Sequence, residues 1–114
     1  MLRRRAKQLI CAVLDDVTST ATQRYQVPTG TRTTITAATV TNPSGAEQTV
    51  DISVDLTDTR IVRLIWARAV PVNASFVLPS LIGQTLETGT TLYADASVSG
   101  ALHLTISGYE ESEA

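Results

Sequence analysis

Alternation of apolar and polar positions is the clearest pattern in the chain. Between positions 50 and 56, apolar residues alternate with Asp51, Ser53 and Asp55, which places the apolar side chains on one face of an extended strand. The apolar set is Val50, Ile52, Val54 and Leu56. A slip of one residue would bury two aspartates, so the pattern predicts a strand with a firm register.

The last third of the chain repeats this alternation. Alternate apolar residues from Leu92 to Val98 share one face, and a turn at Gly100 leads to a second such run from Leu102 to Ile106. His103 falls on the opposite face of the second run, so we expect it to face solvent. Gly108 and the acidic residues after it are expected to end the fold.

Residues 60–70 form a different kind of strand, because apolar side chains occupy both of its faces. One face carries Val62, Leu64, Trp66 and Val70, and the other carries Ile61, Ile65 and Ala67, with Arg63 among them. The Val, Ile and Trp content favours a strand over a helix. A strand that is apolar on both faces is either central to its protein or covered by a partner.

Turn signals divide the rest of the chain into further short strands. Extended runs at 20–27 and 32–42 come first, and the second ends in the turn sequence Asn42-Pro43-Ser44-Gly45. That turn is expected to join the second run to the strand at 50–56 as a hairpin. With a short strand at 74–78, the count is seven or eight. This pattern predicts an all-β fold, an antiparallel, jelly-roll-like β-sandwich.

The ends of the chain stand apart from the predicted domain at 18–110. Residues 1–17 form a basic arm that is either extended or a short helix, and residues 111–114 form an acidic tail. Such charge blocks are commonly solvated, but a basic arm can also bind a neighbouring subunit. The apolar run within residues 1–17 is too short for a secretory signal, and we expect Cys11 there to be buried packing.

Composition leaves little from which to build a chemical site. Thr is abundant at 18 residues, as expected for strands, but the chain has one Cys and one His. That excludes an internal disulfide and makes a Ser-His-Asp triad or a zinc site improbable on residue supply alone. The carboxylate pairs are expected to be solvated. We therefore expect no enzyme activity, no cofactor and no metal.

Net charge and hydropathy set expectations for partners. A net charge of −2 gives no reason to expect nucleic acid, and no run approaches the roughly 20 apolar residues of a membrane span. Protein partners fit better, because the chain has a basic arm and a strand that is apolar on both faces. A tryptophan on a strand more commonly packs in the core than serves as a binding platform. Trp66 nevertheless belongs to the strand that is apolar on both faces, so we include it among the expected contact residues. The expected partner-binding residues are Arg3, Arg4, Arg5, Lys7, Leu9, Arg63 and Trp66.

Several segments together resemble small bacteriophage and prophage virion proteins. They are Tyr25 to Thr31, Ile35 to Asn42 with Ser44-Gly45, Thr49 to Val54, Leu86 to Leu92, Ala96 to Gly100 and Leu104 to Glu110. In that group, a Val-Pro-Ala-Gly-Thr turn enters a strand and an Asn-x-Ser-Gly turn ends one. A Gly-Asp/Thr-Thr-Leu turn and a terminal strand with the pattern Ile-Ser-Gly-x-Glu follow. The long basic N-terminal segment departs from the pattern.

The resemblance implies a structural role in a phage particle. It favours a capsid decoration (cement) protein, located in the virion, that binds the major capsid protein or neighbouring virion proteins and forms a homo-oligomer, with a trimer favoured. A head–tail connector or tail adaptor is the alternative within the same particle. A carbohydrate-binding module, with Trp66 and Tyr93 as sugar platforms, is the alternative from another class.

Overall fold

The computed structural model describes residues 2–14, 24–57, 60–98 and 100–113, with the side chains of Leu2 and Glu113 left aside. These residues form nine strands and one short 3-10 helix, Pro79–Leu81. The strands are β1 (Leu2–Val13), β2 (Arg24–Gln26), β3 (Thr31–Thr41), β4 (Gln48–Asp55), β5 (Ile61–Val70), β6 (Ser75–Val77), β7 (Thr85–Leu86), β8 (Thr91–Ala96) and β9 (His103–Glu113). The all-β prediction is confirmed. The predicted run at 20–23 lies outside the described residues.

The strands pair as a folded ribbon. The first strand pairs with the last, β2 with β8, β3 with β6 and β7, and β4 with β5, all of them antiparallel. Further pairing of β9 with β3 and of β8 with β4 joins these ribbons into two sheets, β1-β9-β3-β6/β7 and β2-β8-β4-β5. A ribbon rolled up in this way is a jelly roll, an architecture that viral capsid, lectin and cupin domains share.

The core lies between the two sheets and follows the predicted alternation. Val50, Ile52 and Val54 of β4 have little or no exposure and share the core with alternate residues of β8, the neighbouring strand, and of β9 in the other sheet. Those residues are Leu92, Ala94, Ala96, Leu104 and Ile106. Val98, predicted to continue the β8 face, lies past the end of that strand and is exposed. The period-two pattern therefore predicts the inward faces wherever the strand is regular.

The predicted hairpin between β3 and β4 is wrong, because these strands belong to different sheets. The buried Asn42 side chain bends the chain from one sheet to the other. Its Nδ2 donates to the carbonyl oxygens of Ala46 at 2.9 Å and Val70 at 2.8 Å, and its Oδ1 accepts from the backbone N–H and the hydroxyl of Ser44. Because all of its polar atoms are hydrogen-bonded, this amide holds the chain in a bend between the two sheets, where the sequence predicted a hairpin turn.

The two ends of the chain pair with each other, whereas the sequence predicted a separate arm and a separate tail. β1 runs antiparallel to β9 with register from Leu2↔Glu113 to Val13↔His103, so residues 2–13 are extended and form the outer strand of the first sheet. The acidic residues Glu110 and Glu111 lie within β9. Complementary charge on the two ends favours this pairing, because opposite charges face each other across the ladder.

Gly108 of β9 allows β3 to approach closely at one point of the first sheet. A Cβ at this position would overlap the carbonyl oxygen of Thr34 on β3. The registers of β1 and β3 both shift beside it, through an extra residue at Leu9 in β1 and at Thr36 in β3. Such bulges bend a sheet and change which side chains point inward.

None of the described helical residues forms a helix that could span a membrane.

Candidate functional site

β5 forms one edge of the second sheet, and several of its side chains are exposed and apolar. Trp66 is 62% exposed, Ile61 61% and Val62 43%. No strand lies beyond β5 among the residues that the structure describes. Exposed large apolar side chains on an edge strand make this edge the candidate contact surface, because soluble proteins otherwise blunt such edges. We call Ile61, Val62, Arg63 and Trp66 the Trp66 surface.

The guanidinium of Arg63 stacks on the indole of Trp66, 4.1 Å from the ring centroid. The predicted contact residues of this strand are therefore brought together. The stacking supports a large aromatic side chain that remains mostly exposed. Trp and Arg are also the side chains most enriched among the residues that dominate protein–protein binding energy.

A bulge in β5 turns Trp66 outward. Trp66 and Ala67 together lie opposite the single residue Asp51 of β4, and Ala67 has a positive φ of 52°. The backbone N–H of Ala67 donates a hydrogen bond to the Asp51 carboxylate. A residue with a Cβ rarely adopts this left-handed conformation, so the aspartate stabilises a backbone geometry that alanine by itself disfavours.

The face assignment made for β5 from its sequence is wrong for the same reason. A second extra residue, Leu64, lies between the pairs Ile52↔Ile65 and Ser53↔Arg63. The two bulges bring Ile65 and Val70 to the core, whereas Trp66, predicted to share the face of Val70, is exposed. Strict alternation fails here because each bulge adds one residue to the count.

A groove of about 390 Å³ adjoins the Trp66 surface. Val62 and Leu64 of β5 form one wall, and the segment 84–88, which includes β7, forms the other. The groove continues the exposed apolar edge toward the end of the sandwich. Trp66 is not among the residues that line this groove, which joins the Trp66 surface at Val62.

A second candidate surface lies on β1, and this one is charged. Its members, Arg3, Arg4, Arg5 and Lys7, are all exposed, and we call them the basic edge. Arg4 is ion-paired with Glu111 at 3.2 Å and stacks on Tyr109 at 4.3 Å. Arg5 and Lys7 both approach Glu110, at 3.6 and 3.5 Å. These partners belong to β9 of the same chain, so the side chains expected to bind a neighbour first hold β1 in its own sheet.

Glu110 is buried, although the sequence analysis expected it to be solvated. The Tyr25 hydroxyl donates to the Glu110 carboxylate and accepts from the Thr33 hydroxyl at 2.8 Å. Burial alone would raise the pKa of Glu110, but the hydrogen bond from Tyr25 and the charges of Lys7 and Arg5 lower it below its ordinary value. Burial and the adjacent carboxylate raise the pKa of Tyr25 far above its usual range.

Three further sequence predictions have outcomes here. Leu9, predicted to contact a partner, is 8% exposed and lies in the core, because the bulge in β1 turns both Leu9 and Ile10 inward. Cys11, predicted to be buried, is exposed. His103 faces solvent as predicted. Among the described residues, no group of three or more His, Cys, Asp or Glu side chains could hold a metal ion.

The predicted contact residues thus fall on two opposite edges of the sandwich. β1 ends the first sheet and β5 ends the second, with β1 near β2 and β5 near the 3-10 helix. The sequence alone could not separate them, because their spacing along the chain says nothing about which sheet each strand joins.

Similarity to known proteins is found among solved structures. No protein-family model matches the chain, and no curated protein does. Two solved structures are similar: that of the Gt strain of infectious bursal disease virus, with a TM-score of 0.41 and 11% identity, and that of the Gx strain, with 0.42 and 15%. The alignments cover 96% and 97% of this chain, which spans 31% of the length of each matched chain.

Proposed function

We propose that this chain is a structural protein of a virus particle, and specifically a phage capsid decoration protein that binds the capsid lattice and stabilises it. The observation that carries the proposal is the Trp66 surface: an exposed, apolar edge strand with an anchored tryptophan on a jelly-roll sandwich. Jelly rolls occur in viral capsid proteins, where they act as building blocks. The resemblance of the turn and strand motifs to small phage virion proteins agrees with this role.

The chemistry of the Trp66 surface supports contact with a protein lattice. Truncation of a central interface tryptophan typically costs about 2 kcal/mol or more, which corresponds to a roughly thirty-fold change in affinity. Many copies bound to one particle add avidity without any new contact, provided that the copies act together. A single small surface can therefore hold a decoration protein on its shell.

The partner in this proposal is the major capsid protein or another virion protein at a lattice junction. A trimer is the favoured arrangement, because decoration proteins bind at points where several capsid subunits meet. A head–tail connector would use the same edge to contact copies of itself in a ring. The two arrangements are distinguished by whether the copies are scattered over the shell or confined to one vertex.

Binding to purified shells tests the proposal. If the reading frame beside this chain's gene encodes a major capsid protein, capsids assembled from that protein are sedimented with the wild-type chain, with Trp66→Ala and with Val98→Ala. Val98 is 53% exposed and lies away from β5, so it controls for loss of an exposed apolar side chain. We expect Trp66→Ala to lose at least tenfold in affinity and Val98→Ala to bind as wild type. Equal binding by both variants would reject the Trp66 surface as the contact.

A carbohydrate-binding role is the second candidate, and the exposure of the Trp66 ring is the observation that favours it. Jelly rolls also form lectin domains. Tyr93 is half-buried on β8 beneath Arg24, two strands away from β5, so the two rings lie on strands that are roughly 10 Å apart. A glycan screen in which Trp66→Ala and Tyr93→Ala each remove binding would favour this role over lattice binding.

A further inference from the structure

We infer that the free edge of β1 is a strand-addition site for an extended, acidic segment of a partner protein. The site lies on the opposite side of the sandwich from the Trp66 surface, so the inference is independent of the proposed function. It rests on two features of β1: its position in the sheet and the excess of positive charge along it.

β1 pairs with β9 along one side only. It is the first strand in the order β1-β9-β3-β6/β7, and no described strand pairs with its other side. In an antiparallel strand, alternate residues direct their backbone N–H and C=O groups away from the existing partner. Residues 3–8 are all exposed, so about 20 Å of unpaired backbone is accessible at this end.

The basic edge selects the charge of the occupant. Among the described side chains, its four cations face two carboxylates, Glu110 and Glu111. Glu110 is shared by Arg5 and Lys7 and is itself 6% exposed. A positive surplus therefore remains on the exposed side, and Arg3 and Arg5 line a shallow groove above Glu110. Acidic side chains on an added strand would lie directly beside these cations.

The same charges disfavour pairing of two copies of this chain through β1. Antiparallel pairing of two β1 edges around residues 5 and 6 would place arginines and lysine opposite one another. Like charges that face each other across a ladder are destabilising, and basic residues on edge strands are a common protection against self-association. An acidic partner segment would not meet this charge repulsion. Strand addition is, moreover, a common mode of peptide recognition.

The test uses a fluorescently labelled eight-residue peptide in which Glu alternates with Val or Thr. A matched peptide replaces Glu by Lys, and a third carries N-methyl groups on alternate backbone nitrogens, which keeps the charge and blocks the ladder. We expect the acidic peptide to bind in anisotropy titrations, the N-methylated one to bind at least tenfold more weakly, and the Lys peptide not to bind. Raising the salt from about 0.05 M to about 0.5 M should weaken binding severalfold.

Hydrogen exchange gives the decisive readout, because simple charge attraction would not protect backbone amides. The acidic peptide should slow exchange at alternate residues within 3–8 by at least tenfold. The double variant Arg3→Gln/Arg5→Gln should reduce affinity at least fivefold, whereas Arg68→Gln on the opposite edge should not. Equal binding of the N-methylated peptide, or unchanged exchange in β1, would overturn the inference. Sedimentation showing a dimer that Arg5→Glu disrupts would overturn the choice of an acidic partner.

Discussion

The Asp51 carboxylate on β4 accepts a hydrogen bond from the backbone N–H of Ala67 on β5, directly across the bulge that turns Trp66 outward. This contact links a polar residue on the outer face of a regular strand to the exposed aromatic residue of an irregular one. It gives Asp51 a role beyond that of a solvated side chain, because the acceptor holds the bulge in place. The orientation of Trp66 depends on that geometry.

Replacement of Asp51 by alanine should therefore loosen the bulge. Asp51→Ala removes the acceptor for the Ala67 N–H and is expected to lower the free energy of unfolding by about 1 kcal/mol. Asp51→Asn retains an oxygen acceptor and should keep most of the stability. Urea denaturation of the three proteins checks this. An equal loss in both variants would show that charge, and not the hydrogen bond, is what β5 needs.

Ala67 offers a test of the backbone conformation itself. Because its φ is 52°, Ala67→Gly should relieve strain and raise stability by about 0.5 to 1 kcal/mol. Ala69→Gly, two residues along the same strand, is the matched control and should destabilise by a similar amount because glycine is costly in a regular strand. The difference in melting temperature between the two variants is the measurement. Destabilisation by both would argue against the left-handed bulge.

The buried carboxylate predicts a pH dependence of stability. The pKa of Glu110 is lowered on folding from its ordinary value of 4.5, so its contribution is fully present above that pH and is lost as the pH falls through the lower, folded-state value. Glu110→Gln should be less stable than wild type at pH 7 by about 1 to 3 kcal/mol. The difference should shrink below about pH 4. Denaturation curves at several pH values measure it.

Tyr25→Phe provides the control for that prediction. The variant keeps the carboxylate and its cations but removes the hydroxyl that donates to it. We expect the acid loss of stability to be smaller than in wild type and to be complete at a higher pH, because one cause of the lowered pKa of Glu110 is gone and its folded-state value lies closer to 4.5. If stability falls with acid pH identically in wild type and Tyr25→Phe, then Lys7 and Arg5 alone set the ionisation of Glu110.

Gly108 is expected to be the glycine least tolerant of substitution among those described. Gly108→Ala forces a methyl group into the Thr34 carbonyl of the adjacent strand, which should cost at least about 3 kcal/mol or prevent folding. Gly45→Ala is the control, since a Cβ there meets nothing within 4 Å. Soluble yield and thermal melting of both variants test the contrast. A stable Gly108→Ala protein would contradict the close approach of β3 and β9.

Regular alternation explains which parts of the fold could be predicted from sequence. β4, β8 and the first half of β9 keep a strict period of two, so their inward faces follow from the residue pattern. β1 and β5 contain bulges, which invert the faces beyond them and leave no clear signal in the apolar pattern. Leu9 and Trp66 were misassigned for this reason.

The pairing of the two ends could have been found from charge. Arg3, Arg4, Arg5 and Lys7 at the start mirror the acidic run from Glu110 at the end, which is the arrangement expected of antiparallel neighbours. The hydrogen bond between Tyr25 and Glu110 could not have been predicted from the sequence. It joins residues separated by 85 positions, and it depends on how the two sheets stack. Contacts of that kind follow from topology, not from local sequence.

Analysis of purified virions tests the central claim most directly. Virus particles are purified on a density gradient from cells that express this chain, the chain is sought in them by mass spectrometry, and its position is located by electron cryomicroscopy. The account predicts many copies of the sandwich at equivalent lattice positions on the shell, with Trp66 facing a capsid subunit, and loss of this density in a Trp66→Ala virus. Absence of the chain from particles that assemble normally in the same cells would contradict it.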